Sequence, residues 1–151
     1  MNFQIATSLP MIVLCAGALL IFTFGALRPG WSRLFRGLAV TASGAACLAS
    51  LCLVPDPAHP LVDSGGYARF FSFLLCALTF VTVLFSGEYA RRRGFERDEF
   101  HALVLLGALG MVLLAVSRDW VMFCVALEIL SLSLYVLIAS RRGMERPIEA
   151  A

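Results

Sequence analysis

Five apolar runs, each close to the length a helix needs to cross a hydrocarbon layer, take up most of this chain. They read roughly 10–27, 34–54, 67–86, 100–116 and 120–139, with short polar punctuation between them. Inside a bilayer the backbone finds no water, so a spanning segment must satisfy its own amides and carbonyls, as a helix does. Barrel strands would be about half as long and would alternate apolar with polar residues, which these runs do not. The expected fold class is therefore all-α: a polytopic membrane protein with five transmembrane helices, in a single membrane domain over residues 1–151.

Composition agrees with the runs. The chain is 60% hydrophobic and 15% charged, against about 45–50% and about 25% in soluble domains, and its mean hydropathy is +0.88. The lipid bilayer is the first expected partner. A net charge of +2, with arginines scattered between runs, gives no basic patch, so no nucleic-acid partner is expected. Cys15, Cys47, Cys52, Cys76 and Cys124 all fall inside apolar runs without metal-ligand spacing, and read as small buried hydrophobes. No phosphate loop, Ser-His-Asp set or metal cluster is visible, so no catalytic, cofactor-binding or metal residue is assigned. Nothing before Arg28 is charged, so the first run lacks the basic start of a secretory signal and reads as a retained membrane helix.

Arginine placement sets an expected orientation. Arg28, Arg33 and Arg36 surround the first connection; the second, Pro55 to Gly66, has Asp56 and Asp63 but no arginine; the third has Arg91, Arg92, Arg93 and Arg97; the tail has Arg141, Arg142 and Arg146. Arginine-rich and arginine-poor segments alternate, which places the N-terminus outside and the end after the fifth helix in the cytoplasm. The third connection also carries Glu88, Glu96, Asp98 and Glu99, so it reads as a mixed, solvated loop. Arg69 opens the third run as an interface anchor, and Arg118-Asp119 makes a tight turn with Trp120 as a second anchor.

Small residues mark packing faces: Thr41-Ala-Ser-Gly-Ala-Ala46 in the second run, and Gly107 and Gly110 in the fourth. A hinge at Gly110 is the functional alternative. Ser72, Thr79, Thr82 and Ser86 lie on roughly one face of the third run and read as interhelical hydrogen bonding rather than a proton wire. His59, in a Pro-rich loop, and His101, at a helix entrance, read as solvated interfacial side chains.

One residue breaks the pattern. Glu128 sits inside Trp120-Val-Met-Phe-Cys-Val-Ala-Leu-Glu-Ile-Leu-Ser-Leu-Ser-Leu-Tyr-Val-Leu-Ile-Ala139, about 12 Å along the helix from Trp120 and so near the midplane. An acid there costs about 2.5–3.5 kcal/mol on insertion scales. Cys124, Ser131 and Tyr135 share its face by helical spacing, and each carries a polar atom. Two readings follow. Glu128 is protonated and hydrogen-bonded to a neighbouring helix, or it is a proton-translocating carboxyl poised between desolvation and a nearby cation. The second needs a basic partner within the membrane. All twelve basic residues here are arginines, and none lies in the interior of a run, so the partner must come from elsewhere.

Two stretches carry a resemblance. Asp98-Glu-Phe-His-Ala-Leu-Val-Leu-Leu-Gly-Ala-Leu-Gly-Met-Val-Leu-Leu-Ala-Val-Ser-Arg-Asp-Trp120 resembles the fourth helix of the N subunit of proton-pumping NADH-quinone oxidoreductase, respiratory complex I. Ala126-Leu-Glu-Ile-Leu-Ser-Leu-Ser-Leu-Tyr-Val-Leu137 resembles that subunit's Glu-Leu-Leu-Ser-Leu-Pro-Leu-Tyr-Val-Leu signature, and Glu145-Arg-Pro-Ile-Glu-Ala-Ala151 resembles the opening of its next block. The resemblance covers residues 98–151; the first three runs match in number and hydropathy. It implies a membrane-arm subunit of the bacterial inner membrane, taking part in proton translocation coupled to quinone reduction, with other complex I membrane subunits as partners. NADH, FMN, iron-sulfur clusters and quinone are implied for the complex and none for this chain. Glu128 takes the place of the fifth-helix glutamate, which in the family pairs with a lysine on a later helix. The family's antiporter-like fold has about fourteen helices, so the chain is expected to be its first part, truncated before the half-channel lysines. Ser133 stands where the signature has proline, implying a weaker kink. Two other functions remain open: an antiporter-like subunit of a multisubunit cation/proton antiporter or membrane-bound hydrogenase, and a non-transporting membrane scaffold.

Overall fold

The computed structural model describes residues 2–27, 32–51, 62–63, 65–92 and 98–142. The loop holding Asp56 and His59, residue Cys52, the arginines at 28, 93 and 97, and the tail from 143 lie outside the described residues. Five helices follow in order: α1 (Asn2–Leu27), α2 (Ser32–Leu51), α3 (Gly66–Arg92), α4 (Asp98–Val116) and α5 (Trp120–Arg142). Four contain a stretch long and apolar enough to span a membrane: Ser8–Gly25, Leu34–Leu51, Gly66–Ser86 and Trp120–Ala139. The apolar part of α4, Phe100–Val116, is shorter; the whole helix of 19 residues rises about 28 Å, close to the hydrocarbon thickness. The chain is an all-α, multi-pass membrane protein.

Two helices outrun the apolar runs that announce them by six residues or more. Helix α1 starts at Asn2 and carries Pro10 in its interior. A proline there removes one amide donor, which membrane helices tolerate when neighbours cover the gap, and Pro10 is buried. Helix α3 continues past Ser86 to Arg92.

The bundle is organised around α4, which packs against α1, α3 and α5 and more lightly against α2, while α1–α2 and α2–α3 close the layer beside it. Its residues accordingly face protein on nearly every side: Ala102, Leu103, Leu105, Gly107, Ala108, Leu109, Gly110, Val112 and Val116 are all buried. They meet Leu14, Ala18 and Ile21 of α1, Phe35 and Ala39 of α2, and Cys76 and Val83 of α3 in one apolar core. His101 is buried as well, 1% exposed, its ring edge-on to Phe100 at 5.5 Å. It is therefore not the solvated interfacial histidine expected from its place at a helix entrance.

Helix hydroxyls are satisfied locally. Ser43 donates to the Ala39 carbonyl, Thr79 to Leu75 and Thr82 to Leu78, each at 2.8 Å, and Ser86 donates to Val83 at 3.1 Å. The expected interhelical bonds of the α3 stripe are thus replaced by bonds within α3, because a serine or threonine in a helix reaches its own preceding carbonyl first. Ser72 is buried, and its Oγ has no hydrogen-bond partner among the described residues.

One end of the bundle is laced together. The Asp63 amide donates to the Val116 carbonyl at 2.8 Å, where Val62 and Ser117 form a lone β-bridge. The exposed Arg69 guanidinium donates to the Leu51 carbonyl, an orphan acceptor at the end of α2. Asp119 caps α5, its Oδ2 accepting the Val121 amide at 3.2 Å.

Candidate functional site

The site is built by the way α5 docks. Of the four long spans it is the least covered: 11% of its stretch is buried, against 28–39% for the others. Its one extensive contact is with α4. There the backbones approach closely at Gly110, where an added Cβ would lie 2.9 Å from the Leu130 amide nitrogen and 3.1 Å from the Ala126 carbonyl oxygen. One turn earlier, a Cβ on Gly107 would meet the Ser133 Cβ at 3.7 Å. The two glycines are a packing seam, as the small-residue pattern suggested, and Ala126 and Ser133, both buried, are its α5 half.

Ser133 occupies the place where the resembling signature has proline. Its Oγ donates to the Ile129 carbonyl at 2.7 Å, the acceptor that a proline at 133 would leave without its amide donor. Helix α5 runs unbroken from Trp120 to Arg142.

With the seam fixed, the rest of the face follows from helix geometry. At 3.6 residues per turn, Cys124, Glu128, Ser131 and Tyr135 cluster about 170° around α5 from Ala126 and Ser133. Cys124, Glu128 and Tyr135 are exposed and Ser131 is half-buried. The structure thus brings the four predicted residues onto one stripe and turns that stripe away from the other four helices. Among the described residues the Glu128 carboxyl takes no hydrogen bond and no ion pair, so within this bundle it is not glue to a neighbouring helix. The Ser131 hydroxyl is spent on its own helix, donating to the Leu127 carbonyl at 2.7 Å. Cys124 is exposed rather than buried, unlike Cys15, Cys47 and Cys76, which are half-buried or buried thiols. It belongs to the outward stripe, not to the core.

No three His, Cys, Asp or Glu side chains among the described residues converge on a point that would hold a metal ion. Sequence reasoning missed the α5 half of the seam and the Asp119 cap. An alanine in an apolar run gives no signal by itself, but Asp one residue before a long helix is a recognised cap position.

No family model matches the chain. Curated proteins do. It is 35% identical, over 100% of its length, to "NADH-quinone oxidoreductase subunit N 1" of Solidesulfovibrio magneticus, of which it covers 31%. It is 34% identical over 94% of its length to "NADH-quinone oxidoreductase subunit N" of Myxococcus xanthus, covering 28% of that protein. The corresponding "subunit N 2" of Rhizobium meliloti is 32% identical over 95% of the chain, with 31% covered. The similarity therefore runs well beyond residues 98–151 and takes in the first three helices. The chain spans a little under a third of the length of these relatives. Across nearly its whole length, then, this multi-pass membrane chain is a homologue of NADH-quinone oxidoreductase subunit N.

Proposed function

We propose that the chain serves as a membrane-arm component of a NADH-quinone oxidoreductase, and that Glu128 takes part in moving protons as quinone is reduced. The observation that carries this reading is the position of Glu128: mid-run on α5, exposed, and on the face opposite the α4 seam. An acid paid for at about 2.5–3.5 kcal/mol in a membrane helix is there to meet something polar or charged. Since it turns away from α1 to α4, its counter-charge comes from residues outside this bundle. Cys124, Ser131 and Tyr135 line the same approach.

In this reading the chain sits in the bacterial inner membrane, N-terminus outside and the end of α5 in the cytoplasm, against other membrane subunits of complex I. NADH, flavin, iron-sulfur clusters and quinone are handled elsewhere in the assembly. The names of the curated relatives favour this subunit over an antiporter or hydrogenase counterpart. The test is Glu128→Gln in the assembled enzyme, reading NADH-driven proton uptake into membrane vesicles together with NADH oxidation and subunit content. The expected result is lowered pumping with assembly intact. Unchanged pumping in an intact assembly removes Glu128 from the pathway and leaves the scaffold reading.

A further inference from the structure

We propose that the α4–α5 turn seats the headgroup of a phosphatidylethanolamine-type lipid, with Arg118 on the phosphate and Asp119 with the Trp120 ring on the primary ammonium. Ser117, Arg118, Asp119, Trp120 and Phe123 line an open concavity of about 350 Å³. It lies where one apolar stretch ends at Val116 and the next begins at Trp120, which is headgroup depth, and tryptophan favours that depth. Arg118, Asp119 and Trp120 are all exposed, Trp120 by 80%. The two opposite charges are neighbours in sequence, yet among the described residues neither has an ion-pair partner.

Each group has a function left to perform. Asp119 Oδ2 accepts the Val121 amide at 3.2 Å, which leaves Oδ1 for a second donor. Trp120 and Phe123 stand edge to face, centroids 6.0 Å apart at 73°, leaving an aromatic corner that suits a cation over the indole face. A guanidinium matches phosphate oxygens with paired donors. The pairing of charges makes the seat selective. A phosphatidylglycerol headgroup offers Asp119 only neutral hydroxyls, and a choline headgroup has no N–H for its carboxylate. A zwitterion with a primary ammonium gives both side chains a charge-assisted bond.

The test uses the whole chain in detergent micelles, delipidated and then offered equimolar phosphatidylethanolamine, phosphatidylglycerol and phosphatidylcholine, with retained lipid counted by native mass spectrometry. One phosphatidylethanolamine is expected in preference to the others. Arg118→Gln and Asp119→Asn, the second keeping the capping oxygen, each lower its retention about tenfold, the weight of one charge-assisted bond. Soluble phosphoethanolamine does not displace it if the seat is a lipid site; displacement would assign the seat to free phosphoethanolamine. Equal retention of the three lipids, or variants that retain lipid like the parent, overturns the proposal. So does a preference for phosphatidylglycerol that Arg118→Gln abolishes, which would mean a simple anion site. Far-UV circular dichroism checks each variant's helix content; if Arg118→Gln loses helix, Asp119→Asn alone decides.

Discussion

Replacing Gly110 by alanine, with Gly107→Ala as its partner experiment, tests the seam on which the placement of Glu128 rests. Both glycines are buried in the middle of α4, so the gain in helix propensity from alanine, about 1 kcal/mol, is common to both. What differs is the space. At 107 the new methyl meets the Ser133 Cβ at 3.7 Å, an ordinary contact. At 110 it falls 2.9 Å from the Leu130 nitrogen, 3.0 Å from the Leu130 Cβ and 3.1 Å from the Ala126 oxygen. Two of those three atoms are backbone, so no side-chain rotation relieves them. Helix α5 must retreat by roughly half an ångström, and over-filling of this kind costs about 1–3 kcal/mol. Subtracting the common term, Gly107→Ala is neutral or stabilising by up to about 1 kcal/mol, and Gly110→Ala is destabilising by up to about 2 kcal/mol.

The difference between the two variants, about 1–3 kcal/mol, is the quantity to measure, because it cancels propensity and detergent effects. Unfolding by sodium dodecyl sulfate titration in mixed micelles, followed by circular dichroism and by tryptophan emission, reads it directly. Equal stabilities for the two variants, or Gly107→Ala as the weaker of the pair, would refute the close approach at 110.

Three further outcomes follow from the same geometry. With the native cysteines replaced by alanine, cysteines at 107 and 133 should join in a disulfide under mild oxidation, since 3.7 Å between Cβ positions lies within the span a disulfide needs; gel mobility with and without reductant checks it. Asp119→Ala should cost about 0.5–2 kcal/mol through loss of the α5 cap, and Asp119→Asn only a few tenths, both read by the same titration. Ser133→Ala should change stability by less than about 1 kcal/mol, because the hydroxyl bonds its own helix at Ile129 and the amide still serves that carbonyl.

Much of this fold was legible from the apolar runs, because a membrane leaves the backbone so few options. The helix ends were less so: Pro10 lies inside α1 rather than at its start, since the covering of a proline by neighbours is a tertiary fact. The polar stripe on α5 was legible because periodicity survives any packing. Its direction was not. Nothing in the sequence of α5 distinguishes the side that meets α4 from the side that does not; that is decided by Gly110 and Gly107 on another helix. The solvated reading of His101 fails for the same reason, since its burial depends on how centrally α4 sits among the helices around it. The α3 hydroxyls failed differently. Interhelical bonding competes with bonding to a carbonyl four residues back, and the nearer acceptor wins.

The seam and the acid are therefore one device. Glu128 lies about half a turn around α5 from Ala126 and Ser133, so whatever holds those two residues against α4 also holds the carboxyl outward. Rotating α5 to hide Glu128 would carry Cys124 and Tyr135 into the seam with it, and neither fits where the backbones approach as closely as at Gly110. It follows that a substitution which never touches the acid should still disturb it. In the assembled enzyme, Gly110→Leu is expected to lower NADH-driven proton uptake while Gly107→Ala leaves it near the parental rate. The 107–133 cross-link, made with and without Gly110→Leu, reports whether the seam has opened. An open seam with undiminished pumping would show that the direction of Glu128 does not matter, and the argument from its face would fail.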